Sequence, residues 1–125
     1  VCGDETQIEE VVINLVTNAR QSLDLIERPD KKIVIETRAG NQGVNLIISD
    51  TGTGFSADAL ANLFRPFFTT KTEGLGLGLS IVHSIVSGVA GKIELMPPEK
   101  EFSTVLVVTL RAWSEEDGEN NEDTP

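Results

Sequence analysis

Apolar residues at Ile8, Val11, Val12, Leu15, Val16, Ala19, Leu23 and Ile26 recur at spacings of three and four, which places them along one face of an α-helix. Asp4 and Gln7 stand just ahead of that stripe as a capping-box pair, in which the Asp side chain takes a free backbone N–H while Gln reaches back. The pattern therefore predicts a helix that starts at Asp4 and lasts until Pro29. Residues 32–38 and 44–50 are rich in β-branched side chains, and the stretch 39–43 between them predicts a hairpin.

Past Asp50 the chain is glycine-rich at Gly52 and Gly54 and briefly helical over about residues 56–63. It then becomes irregular through residues 65–71, a stretch read as a mobile lid. Helical periodicity resumes over residues 77–90 through Leu79, Ile81, Val82, Ile85, Val86 and Val89, with Gly91 where a helix stop is expected. Two more strands are expected at residues 92–96 and 104–110, separated by the turn-prone Pro97-Pro98-Glu99-Lys100. The sum is an α+β fold with helices packed on one face of a mixed, largely antiparallel sheet.

Composition narrows the function classes. With 125 residues the chain fits one domain that can bury a core without disulfides or metals. Cys2 is its only cysteine, which excludes an internal disulfide framework and a thiolate metal cluster. The net charge of −10 is partly a tail: residues 114–125 hold six acids and no Lys or Arg, and without them 14 acids face 10 bases. That division predicts a folded domain over residues 1–112 and an acidic, disordered tail over 113–125. No basic patch offers itself to nucleic acid or to an anionic membrane, so neither is an expected partner and any phosphates must be gripped locally. No apolar run reaches the roughly 18 residues of a membrane span, and the start lacks a signal peptide. The expectation is a cytoplasmic domain, and its abrupt start predicts a piece of a longer protein.

Three segments carry candidate chemistry. Asn14 and Asn18 lie one helical turn apart. With Ile8 at zero they fall near about 240° and 280° on the helical wheel, at the rim of the apolar face. Amide oxygens there suit Mg²⁺, although an exposed helix edge is the plainer reading of such a pair taken alone. Asp50 ends an apolar strand before Thr51-Gly52-Thr53-Gly54. A carboxylate so placed can accept a hydrogen bond from the exocyclic amine of adenine, and the glycines let backbone approach a flat base. An Asx-capped tight turn would have the same sequence. Gly74, Gly76 and Gly78 alternate just before a helix, where backbone N–H groups form a phosphate cradle; a linker is the plainer alternative. The Walker pattern is absent.

Lys71 is placed to reach a terminal phosphate from the lid, or it is a solvated loop lysine. Phe64, Phe67 and Phe68 put three of five phenylalanines in that irregular segment, as anchors for the lid or as core packing. His83, the only histidine, falls opposite the apolar face of its helix and is expected at the surface with no chemical role.

Taken in order, Asn14-Leu15-Val16-Thr17-Asn18-Ala19, Asp50-Thr51-Gly52-Thr53-Gly54-Phe55, Phe64-Arg65-Pro66-Phe67-Phe68-Thr69-Thr70-Lys71 and Gly74-Leu75-Gly76-Leu77-Gly78-Leu79-Ser80 resemble the N, G1, F and G2 boxes of two-component sensor histidine kinases. The F box is similar to that of the nitrogen-regulator type. The resemblance covers about residues 1–110 and implies the two-layer α/β sandwich called the Bergerat fold, shared with gyrase, Hsp90 and MutL. It implies ATP and Mg²⁺ as ligands, with Asn18 as principal metal ligand and Asn14 beside it. Asp50 would contact adenine, and Gly52, Gly54 and Phe55 would shape the base pocket. Thr70, Lys71, Gly74, Leu75, Gly76, Leu77, Gly78 and Leu79 would enclose the phosphates, with Asn14 and Lys71 acting at the transferred group. The implied partners are a phosphoacceptor helical domain of the same protein and a downstream response regulator.

Two positions depart from the family pattern. Ser22 stands where many members place an aromatic residue to stack on adenine, and the last motif, usually a Gly before Ser/Thr-Thr, is reduced to Phe102-Ser103-Thr104. The expected activity is transfer of the γ-phosphoryl group of Mg-ATP to a histidine on the separate helical domain. A nucleotide-sensing module without transfer, and a protein-serine kinase of the anti-sigma type, are the competing readings.

Overall fold

The computed structural model describes residues 4–24, 26–27, 29–41, 43–65 and 78–111. Its elements are α1 (Glu5–Asp24), β1 (Ile33–Gly40), β2 (Gly43–Asp50), α2 (Ala57–Ala61), α3 (Gly78–Gly88), β3 (Lys92–Met96) and β4 (Thr104–Arg111). The capping box opens α1 as expected: Gln7 N–H donates to Asp4 Oδ1 at 2.7 Å and Asp4 N–H to Gln7 Oε1 at 3.1 Å. The helix stops about a turn short of its predicted end. Its last turn carries Asp24 and no basic residue, and negative charge at a helix C-terminus opposes the macrodipole.

Among the described residues the sheet has four strands in the order β1-β2-β4-β3. Every pairing is antiparallel, in keeping with the largely antiparallel sheet expected. The β1–β2 ladder runs out to Gly40↔Gly43, so the hairpin turn is shorter than the predicted 39–43 loop. α1 packs on α3 and β2, and α3 on β3 and β4. Val11, Leu15 and Ala19 of α1 meet Leu79, Val82 and Val86 of α3 over Leu46, Ile48, Leu106 and Val108 of the sheet. Each such buried aliphatic side chain contributes roughly 1.5–3 kcal/mol. The other face of the sheet presents Val34, Glu36, Ile47, Ser49, Val105 and Val107.

The end of α3 differs from expectation in an instructive way. The left-handed residue is Ala90, at φ 60°, not Gly91. Gly91 donates its N–H to Val86 O at 2.8 Å, and a Cβ on it would collide with the Thr109 carbonyl oxygen. The glycine is needed there for close approach of helix end to β4, and the helix turn is left to alanine. No helix among the described residues is long and apolar enough to cross a membrane.

Candidate functional site

The antiparallel register sets the frame of the site. β2 and β4 are the two central strands, and their register pairs Asp50 with Thr104, so the end of one strand and the start of the other lie side by side. Asp50 is 2% exposed, and its Oδ1 accepts the Gly52 N–H at 2.8 Å, an Asx-type bond that folds the chain sharply after the strand. Thr51 ties this turn to the start of β1: its N–H donates to Lys32 O at 3.2 Å, and its Oγ1 accepts the Lys32 N–H at 3.0 Å. Gly54 takes φ +72°, the left-handed region where a Cβ is strained. Phe55 packs on the core edge.

α1 reaches the same turn. Ser22, one helical turn beyond Asn18, is buried, and its Oγ accepts the Thr53 N–H at 3.0 Å. Ser22 and Thr53 hydroxyls lie 3.3 Å apart. A Cβ on Gly52 would fall onto Ser22 Oγ and within 2.8 Å of Asp50 Oδ1. The C-terminal part of α1 thus abuts the glycine turn through Ser22. Asn14 is half-buried and donates its Nδ2 to Glu10 O at 2.8 Å. Bonding through nitrogen orients the amide so that Oδ1 is presented as its acceptor end. Asn18 is also half-buried on that edge.

The second half of the expected site is described only in part. Gly78 opens α3, and the Leu79 side chain is buried in the core. Thr70, Lys71, Gly74, Leu75, Gly76 and Leu77, with Phe67 and Phe68, lie outside the described residues. Phe64 packs against the core and stacks on His83, with ring centroids 4.7 Å apart at 24°. His83 is exposed, as expected, but its ring is engaged. Such a pair contributes roughly 0.5–1.5 kcal/mol. His83→Ala should therefore lower stability in urea denaturation by about that much while leaving the affinity for an ATP analogue unchanged.

Sequence reasoning missed the two serines. Ser103 Oγ donates to the Gly52 carbonyl at 2.6 Å, and Ser103 N–H donates to Asp50 O at 3.0 Å. The signals in the sequence were that Ser22 replaces an aromatic residue of the family pattern and that Ser103 stands beside the position where the last motif has its Gly.

The donor set fits a magnesium nucleotide. A buried carboxylate sits beside a glycine cradle that a Cβ would fill, and amides line the adjoining helix edge. Among the described residues no group of three or more His, Cys, Asp or Glu could hold a metal; a cation here would draw on amide oxygens and on phosphate, as Mg²⁺ does.

These features define a nucleotide-binding α/β sandwich, and comparison with known proteins gives the class: the chain belongs to the histidine kinase-, DNA gyrase B-, and HSP90-like ATPase family, which it matches over residues 3–114. Within that family it corresponds to the catalytic ATP-binding domain of a two-component sensor histidine kinase. It is 40% identical to the sensor protein FixL of Bradyrhizobium diazoefficiens over 93 residues, 74% of this chain and 18% of FixL. It is 37% identical to the sensor histidine kinase ZraS of Escherichia coli over 102 residues, 82% of this chain and 21% of ZraS. The chain thus spans about a fifth of the length of these relatives. Among solved structures, the nucleotide-free catalytic domain of histidine kinase ThkA superimposes with a TM-score of 0.72 at 30% identity, covering 87% of this chain and 69% of that one.

Proposed function

We propose that this domain binds Mg-ATP and presents the γ-phosphoryl group to a histidine on a separate helical domain of the same protein, upstream of a response regulator. The observation that carries the reading is the contact of Ser22 with Thr53, which joins α1, one turn beyond Asn18, to the Asp50–Gly54 turn at one corner of the domain.

In that corner Asp50 accepts the exocyclic amine of adenine, an acceptor role that guanine, with a carbonyl at that position, cannot match. Gly52 and Gly54 let the backbone close on the base, with Phe55 at its edge. Asn18 and Asn14 ligate Mg²⁺, which when bound neutralises phosphate charge. By the motif match, Thr70, Lys71 and the backbone of residues 74–78 hold the phosphates. Transfer then needs alignment and charge neutralisation more than covalent chemistry from the donor. Asn14 is an amide and cannot act as a general base, so water attack on the nucleotide is slow until the acceptor arrives. Residues 1–112 form this domain and 113–125 an acidic tail.

The test is calorimetric titration of the chain and of Asp50→Asn with ATP and GTP analogues, with and without Mg²⁺. Loss of a charge-assisted hydrogen bond should weaken ATP binding by about 10–100-fold in the variant. Equal affinity for GTP, or an unchanged variant, would overturn the adenine assignment. With the helical phosphoacceptor domain added, the expected product is acid-labile, base-stable phosphohistidine; binding without label would instead favour a sensing module.

A further inference from the structure

Ser22, which stands where the family places an aromatic residue, and Ser103, next to the missing motif glycine, converge on a single peptide unit. The peptide joining Gly52 to Thr53 has one donor and one acceptor, and both are taken by serine hydroxyls. Ser22 Oγ, from α1, accepts the Thr53 N–H at 3.0 Å; Ser103 Oγ, from the residue before β4, donates to the Gly52 C=O at 2.6 Å. A peptide plane next to glycine has more rotational freedom than any other. Saturating its two polar ends from opposite sides removes that freedom.

The same network reaches the base-recognising carboxylate. Gly52 N–H is bonded to Asp50 Oδ1 at 2.8 Å, and Ser103 N–H to Asp50 O at 3.0 Å. Ser103 bonds both the Gly52 C=O and the Asp50 backbone carbonyl, and so ties the Gly52–Thr53 plane to the residue that bears the carboxylate. Ser22 is 5% exposed, so water competes poorly for its hydroxyl, and the close fit of Gly52 against it leaves no room for a larger side chain. The global fold does not depend on these hydroxyls. The β2–β4 ladder and the Thr51–Lys32 bonds anchor the strand ends independently.

We propose that Ser22 and Ser103 are positioning residues: a hydroxyl clamp that holds the Asp50–Gly54 turn in the conformation that accepts adenine, and so sets both nucleotide affinity and the preference for adenine over guanine. The inference rests on the Mg-ATP reading above. Neither serine touches the nucleotide; each acts through the peptide plane and Asp50.

The experiment is titration of the 125-residue chain with ATP and GTP analogues in Mg²⁺, for the native protein, Ser22→Ala, Ser103→Ala, Ser103→Thr and the double alanine variant, with thermal melting of each without nucleotide. Removing one hydrogen bond to the turn should weaken ATP binding by about 3–10-fold and narrow the ATP-over-GTP preference, with little change in melting. Ser103→Thr keeps the hydroxyl and should keep native affinity and selectivity. The double variant should lose less than the product of the single losses, because either deletion alone releases the same plane. Alanine variants with native affinity and selectivity would overturn the clamp while leaving the Mg-ATP reading intact. Losses that follow melting temperature, with selectivity preserved, would also overturn it, since they would mark a merely structural role. A native chain that binds no adenine nucleotide would overturn both.

Discussion

Gly52→Ala should weaken nucleotide binding by about 10–100-fold while the domain stays folded. The added Cβ would land on Ser22 Oγ and lie 2.8 Å from both Asp50 Oδ1 and the Ser22 carbonyl carbon. Ser22 is too short to swing aside without releasing the Thr53 N–H, and the carbonyl carbon belongs to the helix backbone. The turn itself must move away, and with it the carboxylate that accepts Gly52 N–H. Overpacking of this kind costs about 1–3 kcal/mol, and since the displaced groups are those proposed to meet the base, the cost should fall on binding. Calorimetry should show affinity for an ATP analogue reduced by about 10–100-fold. Native affinity in Gly52→Ala would exclude this turn from the pocket.

The largest loss of stability is expected from Leu15→Ala. Leu15 is 1% exposed and belongs to the cluster in which α1, α3 and the sheet meet. Truncation leaves a cavity that the two helices and sheet cannot close together, because each is also held by its neighbours. The expected destabilisation is about 2–5 kcal/mol, a large part of the roughly 5–15 kcal/mol that holds a domain folded. Urea denaturation should show a lower midpoint with the slope unchanged, and Leu15→Met should lose less than about 1.5 kcal/mol. A loss below about 1 kcal/mol for the alanine variant would mean that Leu15 is not at the junction of the layers. Leu15 is flanked by Asn14, so loosening it should also weaken Mg²⁺-dependent binding; Leu15→Met should not.

Much of this architecture was legible in the chain because it is written in local periods. The three-and-four spacing from Ile8 to Leu23, the Asp4/Gln7 box and the β-branched runs each specify an element without reference to anything distant. The order β1-β2-β4-β3 was not legible, since which strand lies beside β2 depends on where α3 carries the chain. Ala90 was missed for a related reason: sequence logic assigns the left-handed residue to the nearest glycine, but Gly91 is claimed by its approach to Thr109. Of the site, Asp50 and its glycines could be read from a contiguous motif. Ser22 and Ser103 could not, because their bonds to the turn span 31 and 51 residues, and an isolated serine has no period and no spacing that would distinguish it.

The register that sets Asp50 opposite Thr104 has a dynamic consequence. β1 is an edge strand whose outer half is exposed, and edges open first in local fluctuations, at small free energy. The Asp50–Gly54 corner instead grows from the junction of the two innermost described strands, whose amides exchange with solvent only when much of the domain opens. Fraying at the rim can therefore proceed without erasing the surface proposed to recognise adenine, and on that reading nucleotide occupancy becomes a gauge of whether the whole sheet is intact.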